Sequence, residues 1–178
     1  MGKIEKGDVL TPRELPTVRE QPVRIPDQRN VVHLQFRRYA GCPICNVHLR
    51  GFAARHDELA SAGVREVVVF HSDAAQLLAY GSDLPFDLVP DPGRALYRDF
   101  GVDRSWQSII HPATWLAAVR GWSRITRLRS GPGGHFGLPA DFLIAPSGQV
   151  LAARYGRHAS DQWSVDEVLL NADRLTAP

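Results

Sequence analysis

A strand, helix and strand pattern surrounds the only two cysteines of the chain and restricts the folds that it can adopt. The segment NVVHLQFRR, residues 30–38, is rich in β-branched and aromatic residues and predicts a buried strand that ends just before Cys42 and Cys45. Residues 46–62 predict a helix, and VREVVVFHS, residues 64–72, predicts a second buried strand. Such a unit normally forms a parallel strand pair with a right-handed crossover. The pattern therefore predicts an α/β fold with the cysteines at the carboxyl end of a strand.

The rest of the chain continues this alternation of strands and helices. Residues 73–102 predict a short helix, a brief strand, a turn at DPG and another helix. Residues 138–156, LPADFLIAPSGQVLAARYG, predict a β-hairpin. The following SVDEVLLNADRL predicts a C-terminal helix with a capping box between Ser164 and Glu167. The four prolines of residues 1–29 favour an extended arm or an irregular hairpin over a helix.

The composition is typical of one globular domain over residues 1–178, with 44% hydrophobic and 22% charged residues. A formal charge of +2 gives no indication of a nucleic-acid partner. The N-terminal segment lacks the apolar core of a signal peptide, and no apolar run approaches the ~18 residues of a membrane span. We therefore expect a cytoplasmic protein, where a close cysteine pair is catalytic, redox-sensing or metal-binding rather than a structural disulfide.

The cysteine pair has the spacing of a working dithiol. A cysteine at a helix start has a lowered pKa, because the free backbone N–H groups and the helix dipole stabilise its thiolate, and Pro43 suits the first helical turn. Two intervening residues let the sulfurs approach each other, so Cys42 can act as the nucleophile and Cys45 as the resolving cysteine. The predicted redox-active disulfide is thus Cys42 with Cys45.

Two alternatives for the pair remain open. A zinc site needs about four ligands, but the chain has no second cysteine pair and His48 is the only histidine close in sequence, so no metal is predicted. The other alternative is that both cysteines only fill space in the core, as free cysteines often do. A haem attachment site is excluded because Asn46, rather than histidine, follows Cys45.

Residues 104–130 differ from the rest of the chain. They contain three tryptophans and five arginines, with no acidic residue before Asp141. We interpret them as a helical insert that packs as a lid, covers the active site, lies on anionic lipid or forms an interface, which leaves a homodimer open.

Five segments together resemble the peroxiredoxin-like branch of the AhpC/TSA (alkyl hydroperoxide reductase and thiol-specific antioxidant) group, within the thioredoxin superfamily. The segments are VLTPREL, VVHLQFRRYAGCPIC, VVVFHSD, VPDPGRALYRDFGV and DFLIAPSGQVLAARYGRH. The resemblance implies a thioredoxin-like fold, in which a central mixed β-sheet has helices on both faces. It also implies a redox-active cysteine at the start of the first helix.

Two positions depart from the peroxiredoxin pattern. Peroxiredoxins carry a threonine three residues before the reactive cysteine, whereas Tyr39 stands three before Cys42 here, and Cys42 itself stands three before Cys45. They also place an arginine just before the strand that matches DFLIA, whereas Pro139 stands there. Pro139 instead resembles the thioredoxin proline, which is typically cis and faces the dithiol. The alternative is a proline that simply starts a strand.

Other side chains can support the pair. Arg37 and Arg38 precede the cysteines, and Arg127 and Arg129 precede the hairpin; any of them can supply positive charge near a thiolate. His33, within the first strand, is assigned no role. The predicted supporting residues are Arg38, Tyr39, Pro43 and Pro139.

The resemblance implies an enzyme that reduces peroxides or disulfides by cycling the dithiol, with an external thiol or thioredoxin-type protein as its reductant and no bound cofactor. The alternative is a non-catalytic, redox-responsive or partner-binding module whose interaction surface is the insert.

Overall fold

The computed structural model describes residues 2–19, 21–102 and 138–176. The predicted insert, residues 104–130, lies outside the described residues, and so do Arg127 and Arg129. None of the described helices has the length and apolar character needed to cross a lipid bilayer.

A five-stranded mixed sheet forms the centre of the fold. Its strands are β3 (Val31–Arg37), β4 (Val64–Phe70), β5 (Asp87–Pro90), β6 (Ala140–Ile144) and β7 (Val150–Tyr155), in the spatial order β5, β4, β3, β6, β7. The pairs β3–β4 and β4–β5 are parallel, whereas β6 runs antiparallel to β3 and β7. The predicted β-α-β unit and the later hairpin are both confirmed.

The N-terminal segment forms a small hairpin of β1 (Arg13–Leu15) and β2 (Val23–Ile25), which pair antiparallel. The segment was expected to form either an extended arm or an irregular hairpin, and its two short strands pair as a hairpin. The hairpin contributes to the hydrophobic core, because Leu15, Val23 and Ile25 are buried in one of the two main hydrophobic clusters.

The helices lie on both faces of the sheet. They are α1 (Pro43–Ala54), α2 (His56–Ser61), α3 (Ala74–Gly81), α4 (Ala95–Asp99) and α5 (Val165–Thr176). On one face, the ring of Phe36 on β3 packs against Tyr97 of α4 at 5.0 Å. On the other face, side chains of α1, α3 and α5 form a second cluster, and the ring of Phe52 lies 5.5 Å from that of His33 on β3. The fold is therefore the predicted thioredoxin-like arrangement.

The prediction of one helix over residues 46–62 is wrong in one respect. Arg55 leaves the helical conformation, with φ −118° and ψ 23°, and separates α1 from α2. Gly63 ends the segment, because its φ of +69° is a conformation that glycine adopts without strain. The capping box of α5 is also confirmed: the N–H of Glu167 donates to Ser164 Oγ at 3.2 Å, and the N–H of Ser164 donates to Glu167 Oε2 at 2.8 Å.

Gly156, just after β7, makes a close backbone contact that fixes the start of β6. Its N–H donates to the carbonyl of Pro139 at 2.9 Å. A Cβ atom at Gly156 would lie 2.5 Å from the Asp161 carbonyl oxygen and 2.7 Å from Pro139 Cγ. Any residue other than glycine would therefore collide with these atoms.

We expect Gly156→Ala to lower the free energy of unfolding by about 1–3 kcal/mol, because the added methyl group must push backbone atoms apart. Gly51→Ala is the matched control: Gly51 lies within α1 with nothing within 4 Å of its added Cβ, so alanine should stabilise the helix by about 0.5–1 kcal/mol. Urea unfolding of both variants measures the difference, and equal effects would contradict the close contact.

Candidate active site

The two cysteines lie where β3 delivers the chain to α1. Cys42 is the N-cap of α1, with an extended backbone of φ −69° and ψ 116°, and Pro43 follows at the first helical position. The Cys42 carbonyl accepts the N–H of Asn46 at 2.9 Å, and the Cys42 N–H donates to the carbonyl of Tyr39 at 3.0 Å. The predicted place of Cys42 and Pro43 at the helix start is confirmed.

The loop before the cysteines is tied to the end of the neighbouring strand. The N–H of His71, just after β4, donates to the carbonyl of Arg38 at 3.2 Å, and the N–H of Ala40 donates to Ser72 Oγ at 3.1 Å. These bonds fix the backbone that carries Arg38 and Tyr39 into the site.

Both cysteines are free thiols and both are buried. Cys42 is 1% exposed and Cys45 is 2% exposed, within a small cluster that also contains Tyr39, Ile44 and Ala159. Their side chains form a hydrogen bond, which lowers the pKa of Cys45 to about 6; burial opposes this change, and the positive charge of Arg38 reinforces it. The same bond and burial raise the pKa of Cys42 well above its ordinary value. The pair therefore holds one proton and one negative charge between two sulfurs over a wide pH range.

This distribution differs from the expectation that the helix start alone gives Cys42 the lower pKa. The difference arises because Cys45 accepts the hydrogen bond of the Cys42 thiol and is also stabilised as a thiolate by the charge of Arg37. Arg38 lowers the pKa of both sulfurs, but for Cys42 the hydrogen bond with Cys45 and burial outweigh that charge. The S–H···S⁻ hydrogen bond nevertheless lets the proton pass from one sulfur to the other.

Arg38 and Tyr39, two of the predicted supporting residues, lie beside the pair. The Arg38 guanidinium carbon lies 5.8 Å from the centre of the Tyr39 ring, and both side chains are buried. Burial, and next the nearby Cys42, raise the pKa of Tyr39 to about 12, so its hydroxyl stays protonated at neutral pH. The site thus combines a cation and a neutral hydroxyl donor next to the dithiol.

Pro139 does not have the predicted cis conformation. Among the described residues, the cis peptide bond lies between Ile25 and Pro26, and the bond before Pro139 is trans. Pro139 immediately precedes β6, and its carbonyl pairs with Gly156. It is therefore a proline at a strand start, where a sheet accepts a residue without an N–H, and the resemblance to the thioredoxin proline is wrong on this point.

A narrow apolar cavity of about 10 Å³, enough for about one water molecule, lies beside Cys45. It separates α1 from α3, and the residues that line it include Ala40, Leu49, Leu77 and Tyr80. Within the described residues, no group of three or more histidine, cysteine or acidic side chains is arranged to hold a metal ion.

A buried group of charged side chains under α1 escaped prediction from the sequence. His33, which was assigned no role from its sequence context, contacts carboxylates on both sides, Glu66 and Asp141, and Asp141 in turn pairs with Arg37. A signal for it exists: His33, Gln35 and Arg37 are polar residues at every second position of a strand whose other residues are apolar. They therefore share one face of β3.

Comparisons with solved structures support the fold. The chain is similar to peroxidoxin BcpB from Mycobacterium tuberculosis, with 17% identity, a TM-score of 0.72, and coverage of 98% of this chain and 99% of the other. It is similar to AhpC from Mycobacterium bovis, with 14% identity, a TM-score of 0.69, and coverage of 99% and 95%. A putative thiol:disulfide interchange protein DsbE from Chlorobium tepidum has 19% identity, a TM-score of 0.62, and coverage of 96% and 99%.

At the level of sequence, the chain has fewer matches. No curated protein matches the chain. The model of the AhpC/TSA family matches residues 7–153, which include the hairpin, both cysteines and most of the central sheet. The protein therefore belongs to the AhpC/TSA family.

Proposed function

We propose that this protein is a thiol-dependent peroxidase in which Cys42 and Cys45 cycle between dithiol and disulfide. The observation that carries the proposal is the buried, hydrogen-bonded thiol–thiolate pair with Arg38 and Tyr39 beside it. A thiolate is the reactive form of cysteine, and a cation with a hydroxyl donor can polarise the O–O bond of a peroxide.

The proposed reaction has two steps. A proton passes from Cys42 to Cys45, and the Cys42 thiolate attacks the terminal oxygen of ROOH, which gives a sulfenic acid and releases RO⁻ that is protonated to ROH. The Cys45 thiol then loses its proton and its sulfur attacks the sulfur of Cys42, which forms the disulfide and releases water. An external dithiol supplies the two electrons that restore the reduced pair.

The burial of both sulfurs favours a peroxide over a protein disulfide as the substrate. With 1% and 2% of the cysteines exposed, a large disulfide reaches neither sulfur without displacing the surrounding side chains.

Disulfide exchange is the second candidate, because the C-x-x-C pair at a helix start is the arrangement of thiol–disulfide oxidoreductases. The fold similarity to the putative interchange protein DsbE is in keeping with this candidate. Either activity suits a reducing, cytoplasmic environment with an external thiol or thioredoxin-type reductant.

We expect the reduced protein to react faster with hydrogen peroxide than with oxidised glutathione, because the smaller oxidant reaches the buried sulfurs more easily. Stopped-flow fluorescence or thiolate absorbance follows the two reactions under the same conditions. Fast exchange with oxidised glutathione and slow reaction with peroxide would contradict the peroxidase proposal and support disulfide exchange.

The single-cysteine variants test the roles within the pair. Cys45→Ser should still react once with peroxide and accumulate a sulfenic acid on Cys42, which mass spectrometry detects after trapping with a diketone probe. Cys42→Ser should not turn over. A sulfenic acid on Cys45 in the Cys42→Ser protein, with none on Cys42 in the Cys45→Ser protein, would reverse the order of attack, while a failure of the unaltered protein to react with either oxidant would leave it a non-catalytic module.

The thiolate of the pair should form with an apparent pKa near 6, far below the ordinary cysteine value of 9. Because this pKa is lowered, alkylation by iodoacetamide should be fast and nearly constant above pH 7, and should fall about tenfold per pH unit below 6. Cys42→Ala should move the midpoint upward, because Cys45 then lacks its S–H donor. A midpoint between 8 and 9 in the unaltered protein would contradict the hydrogen-bonded pair.

Tyr39→Phe tests the role of the hydroxyl donor. We expect the rate with peroxide to fall about tenfold or more, because the leaving oxygen loses a hydrogen-bond donor, while alkylation of the thiolate is unchanged. Tyr155→Phe is the control, since the Tyr155 hydroxyl contacts the carbonyl of Phe100 at 2.6 Å, in the cluster on the other face of the sheet. Equal peroxide rates for Tyr39→Phe and the unaltered protein would remove Tyr39 from the mechanism.

A further inference from the structure

The face of β3 that packs against α1 is polar and carries buried charge. His33, Gln35 and Arg37 are each 0% exposed. The ring of His33 lies 5.5 Å from that of Phe52, near the end of α1, and Arg37 Nη2 lies 3.2 Å from His48 Nε2, nearer its start. The three side chains thus follow the underside of α1 towards the cysteines.

Arg37 is held in one position by several acceptors. Its Nη2 donates to Asp141 Oδ1 at 2.5 Å and to Gln35 Oε1 at 2.6 Å, and its Nε donates to the same Gln35 oxygen at 3.1 Å. Its Nη1 donates to the carbonyl of Phe36 at 3.2 Å. A guanidinium bound in this way has little freedom to leave its place under α1.

His33 completes the cluster as an imidazolium ion. Its Nδ1 lies 2.9 Å from Glu66 Oε2, and its Nε2 lies 3.2 Å from Asp141 Oδ1. Because both neighbours are carboxylate oxygens, both ring nitrogens must donate. Burial alone would lower the pKa of His33, but the charges and hydrogen bonds of Glu66 and Asp141 raise it to about 9.

The cluster therefore contains two positive and two negative side chains, with Gln35 bridging Arg37 to Glu66. Burying four charges is costly, and buried ion pairs are often no more stabilising than apolar residues of the same size. Because these charges lie under α1, the helix that carries the cysteines, their role is more readily explained by the ionisation of the dithiol than by stability.

Arg37 meets α1 about one turn after Cys45. His48, its contact on α1, follows Cys45 by three residues, so the two side chains share the face of α1 that meets the sheet. The Arg37 charge is one of the influences that lower the pKa of Cys45. His48 adds no charge of its own, because burial and the nearby Arg37 lower its pKa well below the ordinary value.

We propose that Arg37, clamped by Asp141 and by Gln35, which in turn binds Glu66, is a positioning residue that holds a buried positive charge beneath α1, near the thiolate of the dithiol. The proposal rests on the redox role of Cys42 and Cys45, but it concerns their ionisation and not their substrate. It therefore stands or falls separately from the choice between peroxide and disulfide.

Other side chains near the cysteine pair also bear on its ionisation. Arg38 contributes positive charge from the loop before α1. Tyr39 from the same loop and Tyr97 from α4 stay neutral, since burial raises the pKa of both. Arg37 differs from Arg38 in being linked to Asp141, so removal of Arg37 and removal of Asp141 should have opposite effects on the thiolate.

The test is the pH profile of iodoacetamide alkylation in the reduced protein, together with thiolate absorbance. Arg37→Gln should raise the midpoint by about one unit or more, and so slow alkylation at about pH 5 about tenfold. Arg37→Lys should stay closer to the unaltered protein. Asp141→Asn should shift the midpoint downward, because the positive charge near the sulfurs loses its partner. A purely structural cluster would change the thermal unfolding midpoint of these variants without moving the profile.

Arg65→Gln is the matched control, because Arg65 also pairs with two carboxylates, Asp27 and Asp87, away from the cysteines, and its loss should leave the profile unchanged. If Arg37→Gln does not fold, the direction of the shift in Asp141→Asn decides the question, and the unaltered protein gives a further check. A buried cation is screened little by salt, so the alkylation midpoint should hardly change between low and high ionic strength. A midpoint that rises clearly with salt, or that moves in the same direction in Arg37→Gln and Asp141→Asn, would overturn the proposal.

Discussion

The ion pair between Arg37 and Asp141 joins the parallel and antiparallel parts of the sheet at the end where the chemistry lies. Arg37 is the last residue of β3, and Asp141 is in β6, the only described strand that pairs with β3 on that side. Burial would raise the pKa of Asp141, but the Arg37 charge and the bond to His33 hold it well below the ordinary value, so the carboxylate stays charged. The position of the cysteine loop relative to β6 depends on this pair remaining intact.

Contacts on the opposite face of the sheet also hold the end of β3 in place. The Tyr97 hydroxyl lies within hydrogen-bond distance of the carbonyls of Arg37 and Val69, the latter at 3.1 Å, and so links the ends of β3 and β4 from the α4 side. Asp91 in turn accepts the N–H groups of Ala95 and Leu96, each at 2.9 Å, which fixes the start of α4. The backbone from which the cysteine loop departs is thus held from above and below the sheet.

Much of the fold could be predicted from the sequence, because strand periodicity, capping residues and turn glycines act locally. The β-α-β unit, the late hairpin and the Ser164 capping box all follow from such signals. The break at Arg55 was not predictable in this way, since the ionic contacts of Arg55 reach Asp166 at the start of α5, 111 residues later in the chain.

The candidate site was predictable in its cysteines and less so in its surroundings. The spacing of Cys42 and Cys45 after a strand locates the dithiol, but their pKa order depends on a mutual hydrogen bond and on nearby charges that a sequence does not display. The role of His33 was missed for the same reason: its partners Glu66 and Asp141 come from strands 33 and 108 residues away. The conformation of Pro139 depends on its neighbours in space as well as on its place in the sequence.

The contact between Pro139 and Gly156 has a consequence for the way the site obtains its positive charge. Peroxiredoxins resemble this chain but carry an arginine where Pro139 stands, and here the space around that position is filled by the backbone of Gly156 and Asp161. Phe36 of β3 lies directly opposite Ala140 of β6, so the neighbouring Arg37 and Arg38 start from backbone adjacent to Pro139 on the next strand. At the end of β3, Arg37 and Arg38 supply positive charge that acts on Cys45. Alignment by sequence position would record only a lost arginine at Pro139, whereas comparison in space also records these two on the adjacent segment.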